Sequence, residues 1–144
     1  MSAEARAELA LTAAELAEFL DEVFPGSLDA IVIEGLEPYR AQVRLKFATN
    51  RLRPGGTISG PSLMTLADTA MWIALLGMIG RVPLSVTSHL DIDFLRKPGP
   101  RDVLADAQLL KLGRRLAVGH VLMRSDGEDE LCASASVTYA IPQS

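Results

Sequence analysis

The 144-residue chain predicts an α+β domain in which one long buried helix lies against about six mostly antiparallel strands. Three observations carry that expectation. Residues 60–80 hold one charge, Asp68, and their second half has no polar face, so a helix there must be enclosed. Residues 30–47, and the chain from Leu84 onward, alternate apolar and polar side chains with period two. Clusters of glycine, proline and aspartate separate these runs at hairpin intervals.

Taken in order, Thr12 with Glu15 three positions later forms a capping box, and Leu16, Phe19, Leu20, Val23 and Phe24 recur at helical spacing until Pro25-Gly26 stops the segment. Strands are expected over 30–36 and 39–47, the second with Tyr39, Ala41, Val43, Leu45 and Phe47 on one face. Residues 48–59, with Pro54-Gly55-Gly56, read as a loop. Gly60-Pro61 opens the long helix, with proline in the first turn, where its missing N–H costs little. After Gly80, Leu84, Val86, Ser88, Leu90, Ile92 and Phe94 are placed on one strand face, and Ser85, Thr87, His89, Asp91 and Asp93 on the other. Further strands are expected at 102–112, 115–124 and 131–141, joined by Gly113 and the Asp126-Gly127-Glu128 turn. The whole chain, 1–144, is expected to be one domain, with an N-terminal helical segment at 1–27 and a core at 28–144. A single sheet covers only one side of a helix, and a second copy of the chain is the economical way to cover the rest.

Composition narrows the function. Hydrophobic residues make up 49% and charged residues 22%, a globular balance. The uncharged run 69–80 is about half of what a bilayer span needs, so no membrane insertion is expected. No secretory signal pattern is seen, and the one cysteine, Cys132, cannot form an internal disulfide or a multi-cysteine metal site, so a cytoplasmic, metal-free protein is expected. The net charge of −4 hides an asymmetry: nine acids and one base in residues 1–37, nine acids and thirteen bases thereafter. That is too sparse for a nucleic-acid surface but admits a small phosphorylated ligand.

Asp68 is the residue to explain, because a carboxylate on an otherwise apolar helix is costly without a partner. A structural acid would pair with Arg51, Arg53, Ser62 or Thr65; a functional one would perform acid–base chemistry. His89 and His120 lack metal-ligand spacing, Asp91 and Asp93 read as a wet strand face, and Trp72, Met71 and Met78 as core or pocket wall. Cys132 reads as packing.

The strings Gly-Gly-Thr-Ile-Ser-Gly-Pro-Ser-Leu-Met-Thr-Leu-Ala-Asp-Thr-Ala-Met (55–71), Val-Thr-Ser-His-Leu-Asp-Ile-Asp-Phe-Leu-Arg-Lys-Pro (86–98), Ala-Asp-Ala-Gln-Leu-Leu-Lys-Leu-Gly-Arg-Arg-Leu-Ala (105–117) and Ala-Ser-Ala-Ser-Val-Thr-Tyr (133–139) resemble the PaaI-type branch of hot-dog-fold acyl-CoA thioesterases. The resemblance covers roughly residues 30–141. It implies a helix wrapped by a curved antiparallel sheet, a homodimer or dimer of dimers with the site between subunits, and hydrolysis of acyl-CoA as substrate without metal or added cofactor. Asp68 matches the family acid, as general base or nucleophile, and Gly60 the glycine whose N–H polarises the thioester carbonyl. Thr87 falls where relatives carry an assisting hydroxyl.

Two positions depart from the family. Ser59 stands where the histidine before the glycine is expected. Asn50 lies ten residues before Gly60, where family spacing is nearer seven, which would place Arg53 at the upstream polar position instead. Arg96, Lys97, Arg114 and Arg115 suit coenzyme A phosphates or, equally, a charged sheet edge. A catalytically silent acyl-CoA-binding hot-dog protein is the alternative that Ser59 favours. A hydratase is disfavoured, since neither histidine has the acid expected four or five residues before it.

Overall fold

Thr12 and Glu15 close the capping box in both directions, Glu15 N–H donating to Thr12 Oγ1 at 3.1 Å and Thr12 N–H to Glu15 Oε1 at 3.0 Å, and so start α1 (Ala13–Val23). The computed structural model describes residues 8–48, 52–54 and 56–143. From α1 the chain runs through β1 (Ile31–Glu37), β2 (Arg40–Leu45), β3 (Leu52–Arg53), β4 (Thr57–Ile58), α2 (Gly60–Ile79), β5 (Val86–Phe94), β6 (Val103–Leu112), β7 (Leu116–Ser125) and β8 (Ala133–Ala140). Six strands form one antiparallel sheet in the order β1-β2-β6-β7-β8-β5, leaving β1 and β5 at the edges.

The inward face of this sheet is built from small residues. Ala41, Ala105, Ala107, Ala117, Ala133 and Ala135 alternate with Val43, Val103, Val121 and Val137, all buried, while α2 supplies Leu63, Leu66, Met71, Ile73, Leu75 and Leu76. Small side chains let the sheet approach the helix closely, and each large apolar side chain that α2 buries contributes about 1.5–3 kcal/mol. Gly119 marks a close approach of sheet to helix: a Cβ there would collide with the Gln108 carbonyl and sit 2.5 Å from the Met71 Cε. The helix ends at Gly80, whose φ of +89° few other residues adopt readily.

Several expectations need correction. The stretch 48–59 is not only loop, since β3 and β4 pair within it. The second strand begins at Arg40 and ends at Leu45; Tyr39 takes a positive φ of 67° at the turn from β1, and Phe47 lies beyond the strand, its N–H held by Asp102. Taken whole, α2 does have the length and mean hydropathy of a membrane span, but most of it is buried within the protein. Its apolarity therefore serves the core. The cover over its C-terminal half comes from the same chain: Leu11, Leu16, Phe19 and Leu20 join the core, Leu9 packs against it, and Ala10 N–H donates to the Gly77 carbonyl at 2.7 Å. The N-terminal half is left more open, with Met64 at 42% exposure and Thr65 exposed.

The largest correction concerns Thr87. Register in the β5–β8 ladder shifts between Thr87 and His89, a β-bulge that inserts Ser88. Past the bulge, Leu90, Ile92 and Phe94 lie opposite the inward-facing Val137, Ala135 and Ala133, and His89, Asp91 and Asp93 face outward. Before it, Thr87 lies opposite the buried Tyr139, on the inward face rather than with those polar residues. Uninterrupted alternation would have aimed it the other way.

Candidate active site

Asp68 lies half-buried two turns into α2, flanked by Thr65, Thr69 and Trp72 on the same stripe. Its partners come from the sheet, not from its own helix. Thr87 Oγ1 donates to Asp68 Oδ1 at 2.6 Å, and Tyr139 Oη donates to the same Oδ1 at 2.7 Å, with the Asp68 backbone carbonyl 3.1 Å away. Ser62 is not among them: its hydroxyl is engaged with Ser59 at 2.9 Å. Arg51 lies outside the described residues, as does Asn50; the backbone of Arg53 pairs with Thr57, and its side chain is likewise outside them.

Tyr139 is a site residue that sequence reasoning misses. A signal was present: it continues the inward alternation of Ala133, Ala135 and Val137, and a buried phenol needs a hydrogen-bond partner. Burial, reinforced by the charge of Asp68, pushes the Tyr139 hydroxyl far above the usual phenol range, so it stays a neutral donor.

Asp68 and Tyr139 open on a cleft of about 560 Å³, walled also by Ile31, Leu45, Thr65 and the aromatic pair Phe24 and Trp72. Those two rings meet at 6.4 Å between centroids with a 58° tilt. The pair joins α2 to the end of α1 and gives the cleft an apolar wall beside its carboxylate.

Gly60 belongs to a different cleft, of about 680 Å³, with Thr57, Ile58, Leu63, Phe94, Leu95, Arg96 and Lys97. Local sequence singles out its N–H. Ser59 is the N-cap, and its hydroxyl accepts from Ser62 N–H at 3.3 Å, while Pro61 has no N–H to offer. Gly60 N–H, at the first helical position, is thus left without a partner among the described residues. Ser59, standing where the family histidine would be, is engaged in capping.

Asp68 follows Gly60 by eight helical positions, a rise of about 12 Å. One carbonyl cannot touch both within a protomer. The helix and β5 run side by side: a Cβ at Gly60 would lie 3.4 Å from Phe94 at one end of β5, and Asp68 bonds Thr87 at the other.

The four basic candidates divide in the same way. Arg96 and Lys97 line the Gly60 cleft, Arg96 paired with Glu130. Arg114 and Arg115 precede Leu116 at the opposite end of the sheet and line neither cleft. Among the described residues, no cluster of three or more histidine, cysteine or acidic side chains is suited to a metal. Cys132 is buried, and burial pushes its thiol up.

A long helix wrapped by an antiparallel six-stranded sheet with a small-residue inward face is the architecture of a hot-dog protein. Residues 55–139 match the family described as the Thioesterase superfamily, and the chain belongs to it. The reaction class that accompanies this membership is thioester hydrolysis. The crystal structure of a candidate thioesterase from Silicibacter sp. TM1040 is similar at TM-score 0.90 and 41% identity, covering 96% of this chain and 97% of that one. A mutant of the phenylacetic acid degradation protein PaaI from Thermus thermophilus is similar at TM-score 0.69 and 26% identity, over 87% of this chain and 99% of that one. A candidate esterase from Thermoplasma acidophilum is 24% identical over 100 residues, 69% of this chain and 74% of that protein.

Proposed function

We propose that this protein hydrolyses acyl-CoA thioesters at a site shared by two copies of the chain. The observation that carries the reading is the Asp68 carboxylate, set in a cleft with one oxygen anchored by two hydroxyls. The acyl group lies along the Phe24–Trp72 wall of that cleft. Asp68 acts as general base, taking a proton from water as the water attacks the thioester carbon; the C–S bond then breaks and the thiol leaves with a proton. Gly60 N–H of the other protomer stabilises the oxyanion. Lys97 and Arg96 beside it meet the phosphates of coenzyme A, Arg96 exchanging its Glu130 partner for a phosphate oxygen.

Two-fold symmetry supports the division of the site. β5 is an edge strand with unpaired backbone groups and exposed Val86 and Phe94 at its ends. Antiparallel pairing of β5 with its symmetry copy sets the Thr87 end of one strand beside the Phe94 end of the other, bringing Asp68 toward the partner's Gly60. A homodimer, which a further pairing would make a dimer of dimers, is the assembly this reading needs.

The test is thiol release from short-chain, long-chain and aryl acyl-CoA, comparing wild type with Asp68→Asn. A fall of about a thousandfold in kcat is expected, within the range for loss of a general base. Trp72 is the chain's one tryptophan, so its fluorescence reports ligand entry independently of turnover. Fluorescence change without thiol release from any substrate would favour the silent binding protein. Turnover unchanged in Asp68→Asn would remove Asp68 from the chemistry.

A further inference from the structure

We infer that Tyr139 is a positioning residue that, together with Thr87, occupies Oδ1 of Asp68 and reserves Oδ2 for the reacting water. This rests on the reading of Asp68 as the base. A carboxylate oxygen has two in-plane lone pairs, and Oδ1 receives two donors at 2.6 and 2.7 Å. Oδ2 receives no protein donor among the described residues. The carboxylate is thereby fixed in rotation, and its two oxygens are made chemically unequal.

The backbone dictates the arrangement. Thr87 and Tyr139 are opposite each other in the antiparallel ladder, so their hydroxyls reach the same face side by side, and the bulge at Ser88 turns Thr87 onto that face. Tyr139 is only 4% exposed, so little water competes for its hydroxyl. Among the described residues lining the cleft, Asp68 and Tyr139 are the titratable groups: α1 and the segment that follows it contribute Phe24, Gly26, Ser27, Ala30 and Ile31, β2 contributes Leu45, and α2 adds Ser62, Thr65, Thr69 and Trp72. Thr87 is neutral. Deleting either hydroxyl therefore frees a lone pair on Oδ1 and releases the carboxylate to rotate.

Tyr139→Phe keeps the ring and deletes the donor. In carboxyl-carbon NMR at one fixed pH, with the Asp68 signal assigned by its loss in Asp68→Asn, the Asp68 carboxyl resonance is expected to move, because Oδ1 loses one of its two donors. In kinetics kcat is expected to fall about tenfold with KM little changed. Thr87→Val should move the resonance and lower kcat in the same way, and Thr87→Ser should restore both.

A purely structural tyrosine would lower the melting temperature and leave the Asp68 resonance and the kcat of the folded protein in place; that result overturns the inference. The NMR measurement needs no turnover. An inactive protein whose Asp68 resonance still moves would refute the hydrolase reading and keep the hydroxyl clamp, while an active one with an unmoved resonance would do the reverse.

Discussion

The two halves of α2 share an apolar sequence but divide the work of the molecule. From Met71 to Met78 the helix is buried all round except for the half-buried Trp72, sealed by the sheet below and by α1 with the segment before it above. From Gly60 to Thr69 the same helix carries Ser62, Thr65, Asp68 and Thr69, leaves Met64 exposed and borders both clefts. The N-terminal segment makes the difference, because it reaches only the far half. What it leaves uncovered is available to a partner and a substrate.

Substitutions on the two halves should therefore fail in different ways. The sharpest case after Asp68→Asn is Gly60→Pro. Ser59 already has φ −69° and ψ 151°, the extended conformation a following proline requires, and a first-turn position tolerates the ring. The substitution deletes the proposed oxyanion donor, and kcat is expected to fall about 10²- to 10³-fold with Trp72 fluorescence titrations nearly unchanged. Retained turnover would leave the orphan amide without a role. On the sealed half, Leu76→Ala leaves a cavity and should cost about 2–5 kcal/mol in urea denaturation, with kcat of the folded fraction preserved. Equal effects on turnover from both substitutions would erase the distinction between the halves.

The smallest effect concerns the frame that holds both. Asp102 accepts the Phe47 N–H at 2.6 Å, and that bond, with help from Arg44, outweighs burial and holds its carboxyl below the usual range. Glu15 is lowered in the same way by its bonds to Thr12. A carboxyl whose folded pKa is depressed contributes stability that is present above its unfolded value and lost as pH falls through the folded one. Melting temperature should therefore be insensitive to these groups above about pH 5 and decline below about pH 4. Asp102→Asn should flatten part of that decline in a thermal-shift series.

How far the sequence could be read differs between these features. Elements fixed by local chemistry were legible: the Thr12–Glu15 box, the helix from Gly60 with proline in its first turn, and the strands from Val86 onward, to within two residues. Asp68 was legible because one charge on an apolar helix has no local explanation. Its true partners were not, since Thr87 and Tyr139 stand 19 and 71 residues away and meet it only through a ladder register. The bulge at Ser88 was illegible for the same reason. Inserting one residue costs the alternation pattern only a change of phase, and that phase is set by what the opposite strand does.

The residues by themselves determined the long buried helix, the α+β class and the lone acid on that helix, because periodicity and proline chemistry act over a few positions, whereas Gly60 was singled out only through the family resemblance. Only the tertiary structure decided that Thr87 faces inward, that Tyr139 completes the acid's support, that the N-terminal segment seals half of the helix, and that Asp68 and Gly60 open on separate clefts. Each of those depends on which distant segments are neighbours, and strand pairing fixes that through contacts no local pattern encodes.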